Sequence, residues 1–364
     1  AAYVLLLVGM PLGSQLPDAS WSSACYFLCL GVWTLFVGSH RSLGSKPPKK
    51  ISFREGILAP FLFSLSLFGL YCLLRFFPNL DLQAFLSAYL ALVGVFAVAS
   101  NMVDLIGSLF PLTNSQLFRV EVPKWILEDD KSIVQLSSTL ADVLALCVGV
   151  AIMIAYKQDG APFMLNNFIA TCIAIEALQI FSLGSFLTAT TLLSGLLLYD
   201  AFWVYGSSHV FGDNVMLTVA TSSAFDGPIK LIFPHLGGSS TFPYSLLGLG
   251  DVTVPGLLTA LMLKFDRSRF STRAYGVFEN SSTGSMAKPK KTYFFTCIAS
   301  YIFGLVLTFV ANGVSGAAQP ALVYLVPSQL IGVFLVSSVK SEVDLLLSYN
   351  EELLDNTSDV EKEN

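Results

Sequence analysis

The residues best suited to chemistry are two aspartates, Asp200 and Asp251, which stand in stretches otherwise made of apolar residues. Residues 196–203 read Leu-Leu-Leu-Tyr-Asp-Ala-Phe-Trp, and residues 246–256 read Leu-Leu-Gly-Leu-Gly-Asp-Val-Thr-Val-Pro-Gly. An ionisable side chain inside a membrane segment is costly, so it is a functional candidate, and a second group is expected to share the cost. We predict that these two aspartates are partners.

Two carboxyl groups close together in a low-dielectric environment cannot both ionise cheaply, so they share one proton. One then acts as a base and the other as an acid, which polarises a water for attack on a peptide carbonyl and protonates the departing nitrogen. The sequence contains no His-Glu-x-x-His zinc motif, no phosphate-binding loop and no Gly-x-Ser-x-Gly motif. It therefore predicts hydrolysis by an aspartate pair, with no cofactor and no metal.

Glycines precede the second aspartate, in the order Gly248, Leu249, Gly250, Asp251. Because glycine lacks a Cβ, another backbone can approach the carboxylate closely at these positions. For a protease that backbone would belong to the substrate. The alternative is that the glycines only allow neighbouring helices to pack tightly.

A third motif, Gln319-Pro320-Ala321-Leu322, opens the last apolar run, and Pro327 follows within it. Proline frees backbone groups from the helical ladder, which membrane proteins tolerate only where protein or a cavity satisfies those groups. The alternative is a proline at an ordinary helix start.

The composition predicts an all-α membrane protein to carry these motifs. Hydrophobic residues make up 54% of the 364 residues and charged residues 12%, against about 25% charged in a typical soluble domain. Apolar segments long enough to cross a bilayer recur along the chain. The nine predicted transmembrane helices are residues 21–38, 57–77, 84–110, 134–155, 162–183, 187–206, 246–265, 293–311 and 321–339.

Counting along these spans places the two aspartates at one depth. Asp200 lies six residues before the end of its span and Asp251 six residues after Ser245, which at 1.5 Å per residue is about 9 Å from the same side. Cytosolic loops retain Lys and Arg, and one orientation gives the cytosol all 20 basic residues except Arg75, Lys157 and Lys230. The N-terminus is then lumenal, and the acidic tail is cytosolic and solvated.

These motifs resemble the intramembrane aspartyl proteases, the family of presenilins and signal peptide peptidases. The resemblance rests on Tyr199-Asp200, Gly248-Leu249-Gly250-Asp251 and Pro320-Ala321-Leu322, in this order on the sixth, seventh and ninth spans. Within this family, the signal peptide peptidase branch looks closest in sequence, judged from residues 199–204, 214–220, 228–234 and 319–327.

The resemblance implies a nine-helix bundle that cleaves type II transmembrane segments, including remnant signal peptides, in the endoplasmic reticulum or a nearby endomembrane. Asp200 and Asp251 would be the catalytic pair. The residues that would shape the substrate site are Tyr199, Gly248, Leu249, Gly250, Gln319, Pro320, Ala321 and Leu322. The implied partners are membrane-embedded peptides and the lipid bilayer, with no nucleic acid, and self-association stays open.

The order of these spans divides the chain into three predicted regions. Residues 1–186 would form a scaffold of five helices, residues 187–339 the catalytic helices with a lumenal loop at 207–245 and a cytosolic loop at 266–292, and residues 340–364 the tail. Two alternatives remain beside the protease: a proton- or cation-coupled transporter, and a non-catalytic membrane adaptor in protein degradation.

Other residues carry weaker signals. Asp104, Asp142 and Glu176 lie in or near apolar spans and would either form a proton path or bond to neighbouring helices. Residues 215–219 and 231–233 have strand character, and we hypothesise that they pair with an unwound substrate. The six cysteines are interpreted as small buried apolar residues.

Overall fold

The computed structural model describes residues 20–44, 49–76, 82–123, 133–158, 162–211, 227–234, 244–278, 291–315 and 319–351. Its helices are α1 (Ser20–Ser42), α2 (Phe53–Phe76), α3 (Leu82–Leu109), α4 (Leu140–Gln158), α5 (Phe163–Ile180), α6 (Phe186–Ala201), α7 (Ser207–Phe211), α8 (Gly250–Phe278), α9 (Thr292–Ser315), α10 (Leu322–Val339) and α11 (Val343–Ser348). A 3₁₀ turn (Pro111–Asn114) follows α3, and a π-helix (Phe202–Gly206) follows α6.

Six short strands pair in three two-stranded sheets within the described residues. They are β1 (Lys49–Ile51), β2 (Gln116–Pro123), β3 (Ile133–Thr139), β4 (Phe181–Leu183), β5 (Lys230–Pro234) and β6 (Tyr244–Gly248). The β1–β4 pair is parallel, and the β2–β3 and β5–β6 pairs are antiparallel. Of these three sheets, only the β5–β6 hairpin immediately precedes one of the two aspartates, Asp251.

The all-α membrane fold is confirmed. Eight helices of the described chain are long and apolar enough to cross a membrane: α1 to α6, α9 and α10. The remaining predicted span corresponds to α8, which has 29 residues and carries Asp251, Lys264 and Asp266 within its length. Large apolar side chains such as Phe61 and Phe85 are about 70% exposed on the outside of the bundle, as expected for helices that face lipid rather than water.

Helix α8 lies where the two main buried clusters meet. Val252 belongs to one cluster with Phe27 and Ile169, whereas Leu258 belongs to the other with Leu192. Packing on both sides fixes the direction of this helix and therefore the position of Asp251 at its start.

Two predicted spans begin later than expected. Residues 134–139 form β3 instead of helix, and α4 starts at Leu140 because Asp142 Oδ2 accepts hydrogen bonds from the backbone N–H (2.6 Å) and hydroxyl (2.8 Å) of Thr139, as in a capping box. Likewise, residues 246–248 belong to β6, and α8 starts at Gly250. Gly248 and Gly250 are poor helix formers, and β5 supplies a pairing strand. Asp251 therefore lies in the first turn of its helix, and the prediction of a helix from residue 246 is wrong.

The interpretation of all six cysteines as buried is also wrong. Cys172 and Cys297 are buried and Cys72 is intermediate, but Cys25, Cys29 and Cys147 are exposed on the surface of the bundle. Lipid tails are as apolar as a protein core, so a membrane-facing surface accepts a thiol as readily as the interior does.

The first part of the acidic tail is docked against the bundle instead of being solvated. The Glu351 carboxylate accepts hydrogen bonds from Lys264 Nζ and Ser182 Oγ, both at 2.8 Å, and its backbone N–H donates to the Gly184 carbonyl. Glu342 pairs with Arg269 at 3.2 Å and accepts a hydrogen bond from the Tyr293 hydroxyl at 2.9 Å. The predicted solvated tail is thus wrong at Glu342 and Glu351, whereas Asp344 between them is exposed, and residues 352–364 lie outside the described part.

Breaking the Glu351 contact is expected to lower thermal stability. The Lys264 and Glu351 side chains are 10% and 14% exposed, so Glu351→Ala leaves a nearly buried ammonium group without its partner, which costs about 3 kcal/mol. We expect a lower melting temperature in detergent, and a smaller loss in the double variant Lys264→Met, Glu351→Leu. Asp344→Ala, at an exposed position in α11, is the control. Equal melting temperatures for Glu351→Ala and the control would contradict the role of the ion pair.

Candidate active site

Asp200 lies at the point where α6 changes into a π-helix. It is 5% exposed, and the wider turn begins at Phe202. Such π-bulges are frequent at functional sites because they redirect side chains within a helix. The Trp203 indole N–H donates to Ser64 Oγ at 3.2 Å and ties this turn to α2. Oδ2 of Asp200 is buried and has no hydrogen-bond partner among the described residues.

Asp251 is positioned by the hairpin that precedes it. In that hairpin Leu231 lies opposite Leu247, and Lys230 opposite Gly248. The backbone N–H of Leu249 donates to the Ile229 carbonyl at 3.2 Å, which fastens the connection between β6 and α8. The strand pairing, rather than a continuous helix, therefore sets where α8 begins.

Of the two glycines before Asp251, only Gly248 is crowded. A Cβ at Gly248 would lie 3.1 Å from Asp251 Oδ2, whereas a Cβ at Gly250 would meet no atom within 4 Å. The absence of a side chain at Gly248 thus makes room for the carboxyl group. Gly250 leaves open space beside it, and the alternative of tight helix packing does not describe either glycine.

The third motif reaches the first aspartate through its backbone. Leu322 is the first residue of α10 after the cap at Ala321, and its backbone lies near the Asp200 carboxyl group. The N-terminus of a helix carries partial positive charge, which stabilises a nearby carboxylate. Pro320 accepts a hydrogen bond from the Val323 N–H at 3.3 Å, so it stands in the turn that opens α10.

The structure brings several of the predicted site residues to one place. The carboxyl groups of Asp200 and Asp251 are close enough to interact electrostatically, with Gly248 beside the one and Leu322 beside the other. Tyr199 packs its ring against Phe63 of α2, with centroids 6.5 Å apart. Other predicted residues lie around this centre. Leu249 and Ala321 pack in the buried cluster that contains Phe27 and Ile169. Gln319 accepts a hydrogen bond from the Tyr205 hydroxyl and donates its backbone N–H to Asn312 Oδ1 at 2.9 Å.

Sequence reasoning missed two asparagines of α5 that hold the hairpin. Asn167 Nδ2 donates to the Ile232 carbonyl at 2.7 Å, and its Oδ1 accepts from the Ile232 N–H at 2.8 Å. Asn166 Nδ2 donates to the Lys230 carbonyl at 2.7 Å. Both asparagines are at most 1% exposed. The available signal was two adjacent amide side chains in an apolar span, where buried polar groups need partners.

The acidic residues offered for a proton path bond instead to their neighbours. Asp104 Oδ2 pairs with Arg41 at 2.7 Å, Glu176 accepts a hydrogen bond from Gln179 at 3.3 Å, and Asp142 caps α4. Asp104 thus bonds to a neighbouring helix, as the second interpretation expects, whereas Glu176 bonds within α5 and Asp142 bonds to the residue just before α4. Within the described ranges, no three His, Cys, Asp or Glu side chains form a group that could hold a metal ion.

Comparison with known proteins identifies the family. A family model described as signal peptide peptidase matches residues 44–353. The chain belongs to the signal peptide peptidase family. It is 30% identical to the signal peptide peptidase of Homo sapiens over 89% of this chain and 82% of that protein. It is also 27% identical to a probable intramembrane protease of Schizosaccharomyces pombe, over 91% of this chain and 95% of that protein.

Family membership confirms the resemblance and identifies the protein as an intramembrane protease, a hydrolase that acts on membrane-embedded substrates. A third relative, intramembrane protease 2 of Caenorhabditis elegans, is 34% identical over 58% of this chain and 43% of that protein. The names of these relatives give the transporter alternative no support.

Proposed function

We propose that the protein hydrolyses peptide bonds within type II transmembrane segments, including remnant signal peptides, with Asp200 and Asp251 as its catalytic pair. The observation that carries this proposal is the approach of two carboxyl groups from separate helices, one of which has an unpaired, buried oxygen. Burial of a carboxyl oxygen without a hydrogen-bond partner costs desolvation free energy. It gains a partner when a water or a substrate group binds.

The proposed reaction uses both carboxyl groups with one shared proton. The ionised carboxylate removes a proton from the water as its oxygen attacks the peptide carbonyl carbon, and the protonated partner donates its proton to the carbonyl oxygen. The resulting diol collapses when one of its hydroxyl groups returns a proton to the carboxylate that protonated the carbonyl oxygen, the C–N bond breaks, and the nitrogen receives the proton that the other carboxyl group took from water.

We propose that the substrate binds as a strand at the outer edge of β6. The outer edge of β5 is already occupied by the two asparagines of α5, and Leu246 of β6 is 57% exposed. Main-chain pairing at an open sheet edge holds an unwound peptide regardless of its sequence. Of the two segments hypothesised to pair with substrate, residues 231–233 belong to β5, and residues 215–219 lie outside the described part of the chain.

The same proposal covers location and organisation. The N-terminus would be lumenal and the C-terminus cytosolic in the endoplasmic reticulum or a nearby endomembrane, because this orientation keeps nearly all Lys and Arg cytosolic. Residues 1–186 would serve as the scaffold and residues 187–339 would carry the catalytic groups. Residues 340–351 would act with the catalytic helices, since Glu351 bonds to Lys264 of α8.

Substrate orientation provides the test. One apolar segment is inserted into microsomal membranes containing the protein in both orientations, which are set by exchanging the flanking Lys and Arg residues. We expect cleavage within the apolar segment in the type II orientation and little or none in the type I orientation, with cut sites read by mass spectrometry. Equal cleavage of both orientations, or cuts only outside the segment, would refute the proposed substrate class.

A further inference from the structure

A cavity of about 820 Å³ is lined by residues of α1, α3, α4 and α5, at the helix ends that the proposed orientation places on the cytosolic side. Among its lining residues are the polar side chains of His40, Arg41, Ser100, Asp104, Asp142 and Gln179. Phe96, Val143 and Leu146 also line it and are 59%, 38% and 40% exposed. The cavity therefore joins a polar wall at the membrane boundary to an apolar wall on the lipid-facing surface.

The guanidinium group of Arg41 is held in a fixed orientation at this cavity. It donates to Asn101 Oδ1 at 2.6 Å, to the Ser100 carbonyl at 3.3 Å and to Asp104 Oδ2 at 2.7 Å. Its side chain is 18% exposed. A planar group with five N–H donors, fixed in advance, loses little entropy when it binds a phosphate. Arg41 thus provides an anion-binding element in the wall of this cavity.

Two carboxylates line the same cavity beside this cation. The Asp104 side chain is 78% exposed although it pairs with Arg41. Thr139 donates two hydrogen bonds to the Asp142 carboxylate, and both reach Oδ2. Each carboxylate offers about four lone-pair sites, so both retain acceptor capacity toward the cavity. The site therefore presents one cation and two anions to a ligand.

We propose that this cavity binds a phospholipid of the cytosolic leaflet whose headgroup carries a primary amine. The phosphate contacts Arg41, the ammonium group contacts Asp104 and Asp142, and the acyl chains follow Phe96, Val143 and Leu146 into the membrane. A quaternary ammonium headgroup has no N–H to donate and fits the carboxylates less well. The proposal does not depend on the catalytic pair, because Asp200 and Asp251 lie toward the lumenal ends of their helices.

Lipid binding to the delipidated protein in detergent provides the test, with native mass spectrometry to count bound lipids. We expect saturable binding of one dioleoyl phosphatidylethanolamine, about tenfold tighter than dioleoyl phosphatidylcholine, the factor that 1.4 kcal/mol gives. Glycerophosphoethanolamine, which has the headgroup without the chains, should not compete at a hundredfold excess. Effective competition would show that the ligand is a soluble phosphate ester and would overturn the lipid assignment.

Variants separate the two halves of the headgroup site. In the double variant Asp104→Asn, Asp142→Asn, the amide oxygen at position 104 can still accept from Arg41 and the one at position 142 can still cap α4. Both negative charges are removed. We expect this double variant to bind both lipids equally and Arg41→Gln to weaken both, with melting temperatures confirming that each variant is folded. Asp344→Asn, elsewhere on the cytosolic surface, should retain the preference. The absence of saturable binding, or an unchanged preference in the double variant, would overturn the proposal.

Discussion

Replacing Asp200 or Asp251 by Asn is expected to lower the rate of intramembrane cleavage by about 10²–10⁴-fold, the usual range for loss of a general acid or base. Asparagine has nearly the same shape as aspartate, so Asp200→Asn is expected to fit the same buried position. What it cannot do is gain or lose a proton at neutral pH. Because the two groups act as one unit, the double variant should be little worse than either single variant.

Stability distinguishes this loss from misfolding. Two carboxyl groups close together at membrane depth repel each other when both ionise, so removing one charge should leave the melting temperature unchanged or raise it. The measurement is cleavage of a type II segment by purified protein in detergent, together with the melting temperature of each variant. Asp344→Asn serves as the matched control at an exposed site. Cleavage within tenfold of wild type by either single variant would rule out the proposed pair.

Releasing the hairpin from α5 is the second large effect we expect. Asn167→Leu removes two hydrogen bonds to the backbone of Ile232 and leaves a buried donor and acceptor unpaired, at about 1–3 kcal/mol each. β5 should then shift, and β6 with it, so that Asp251 moves relative to Asp200. Since a misplacement of about 1 Å can cost about 10²-fold in rate, we expect cleavage to fall about 10- to 100-fold.

Tyr26→Phe is the matched control for this variant. The Tyr26 hydroxyl accepts a hydrogen bond from Asn167 Nδ2 at 2.8 Å, so its removal alters the environment of Asn167 but keeps both bonds to Ile232. Amide hydrogen exchange provides a readout that a general loss of stability would not give. Residues 230–234 and 244–248 should exchange faster in Asn167→Leu, with α3 and α9 unchanged and cleavage by Tyr26→Phe near wild type. Unaltered exchange of the hairpin alongside normal cleavage would show that Asn167 does not position it.

Most of the helices were predictable because each is a local property of the chain. A run of about 20 apolar residues must satisfy its backbone groups internally when it crosses a bilayer, so it forms a helix whatever surrounds it. The same argument drew attention to Asp200 and Asp251, since a carboxyl group is conspicuous in such a run. The motif around Asp251 also pointed to the family that the comparison then identified.

The β5–β6 hairpin and the asparagines that hold it were not predictable in this way. Residues 246–248 are apolar and read as the start of a helix, but whether they form a strand depends on β5 and on Asn166 and Asn167, about 80 positions earlier in the chain. The docked segment that ends at Glu351 depends in the same way on Lys264 and Ser182. No short-range pattern encodes such contacts.

By itself, the sequence determined that this protein is a helical membrane protein, and it drew attention to two aspartates in apolar segments and to the uneven distribution of Lys and Arg among its loops. These features follow from hydropathy and charge, which act on each segment separately. The tertiary structure decided that α8 starts at Gly250, that the Asp200 and Asp251 carboxyl groups approach each other, and that α5 holds the hairpin before Asp251. These outcomes depend on which buried donors and acceptors meet, and only the folded bundle brings those groups together.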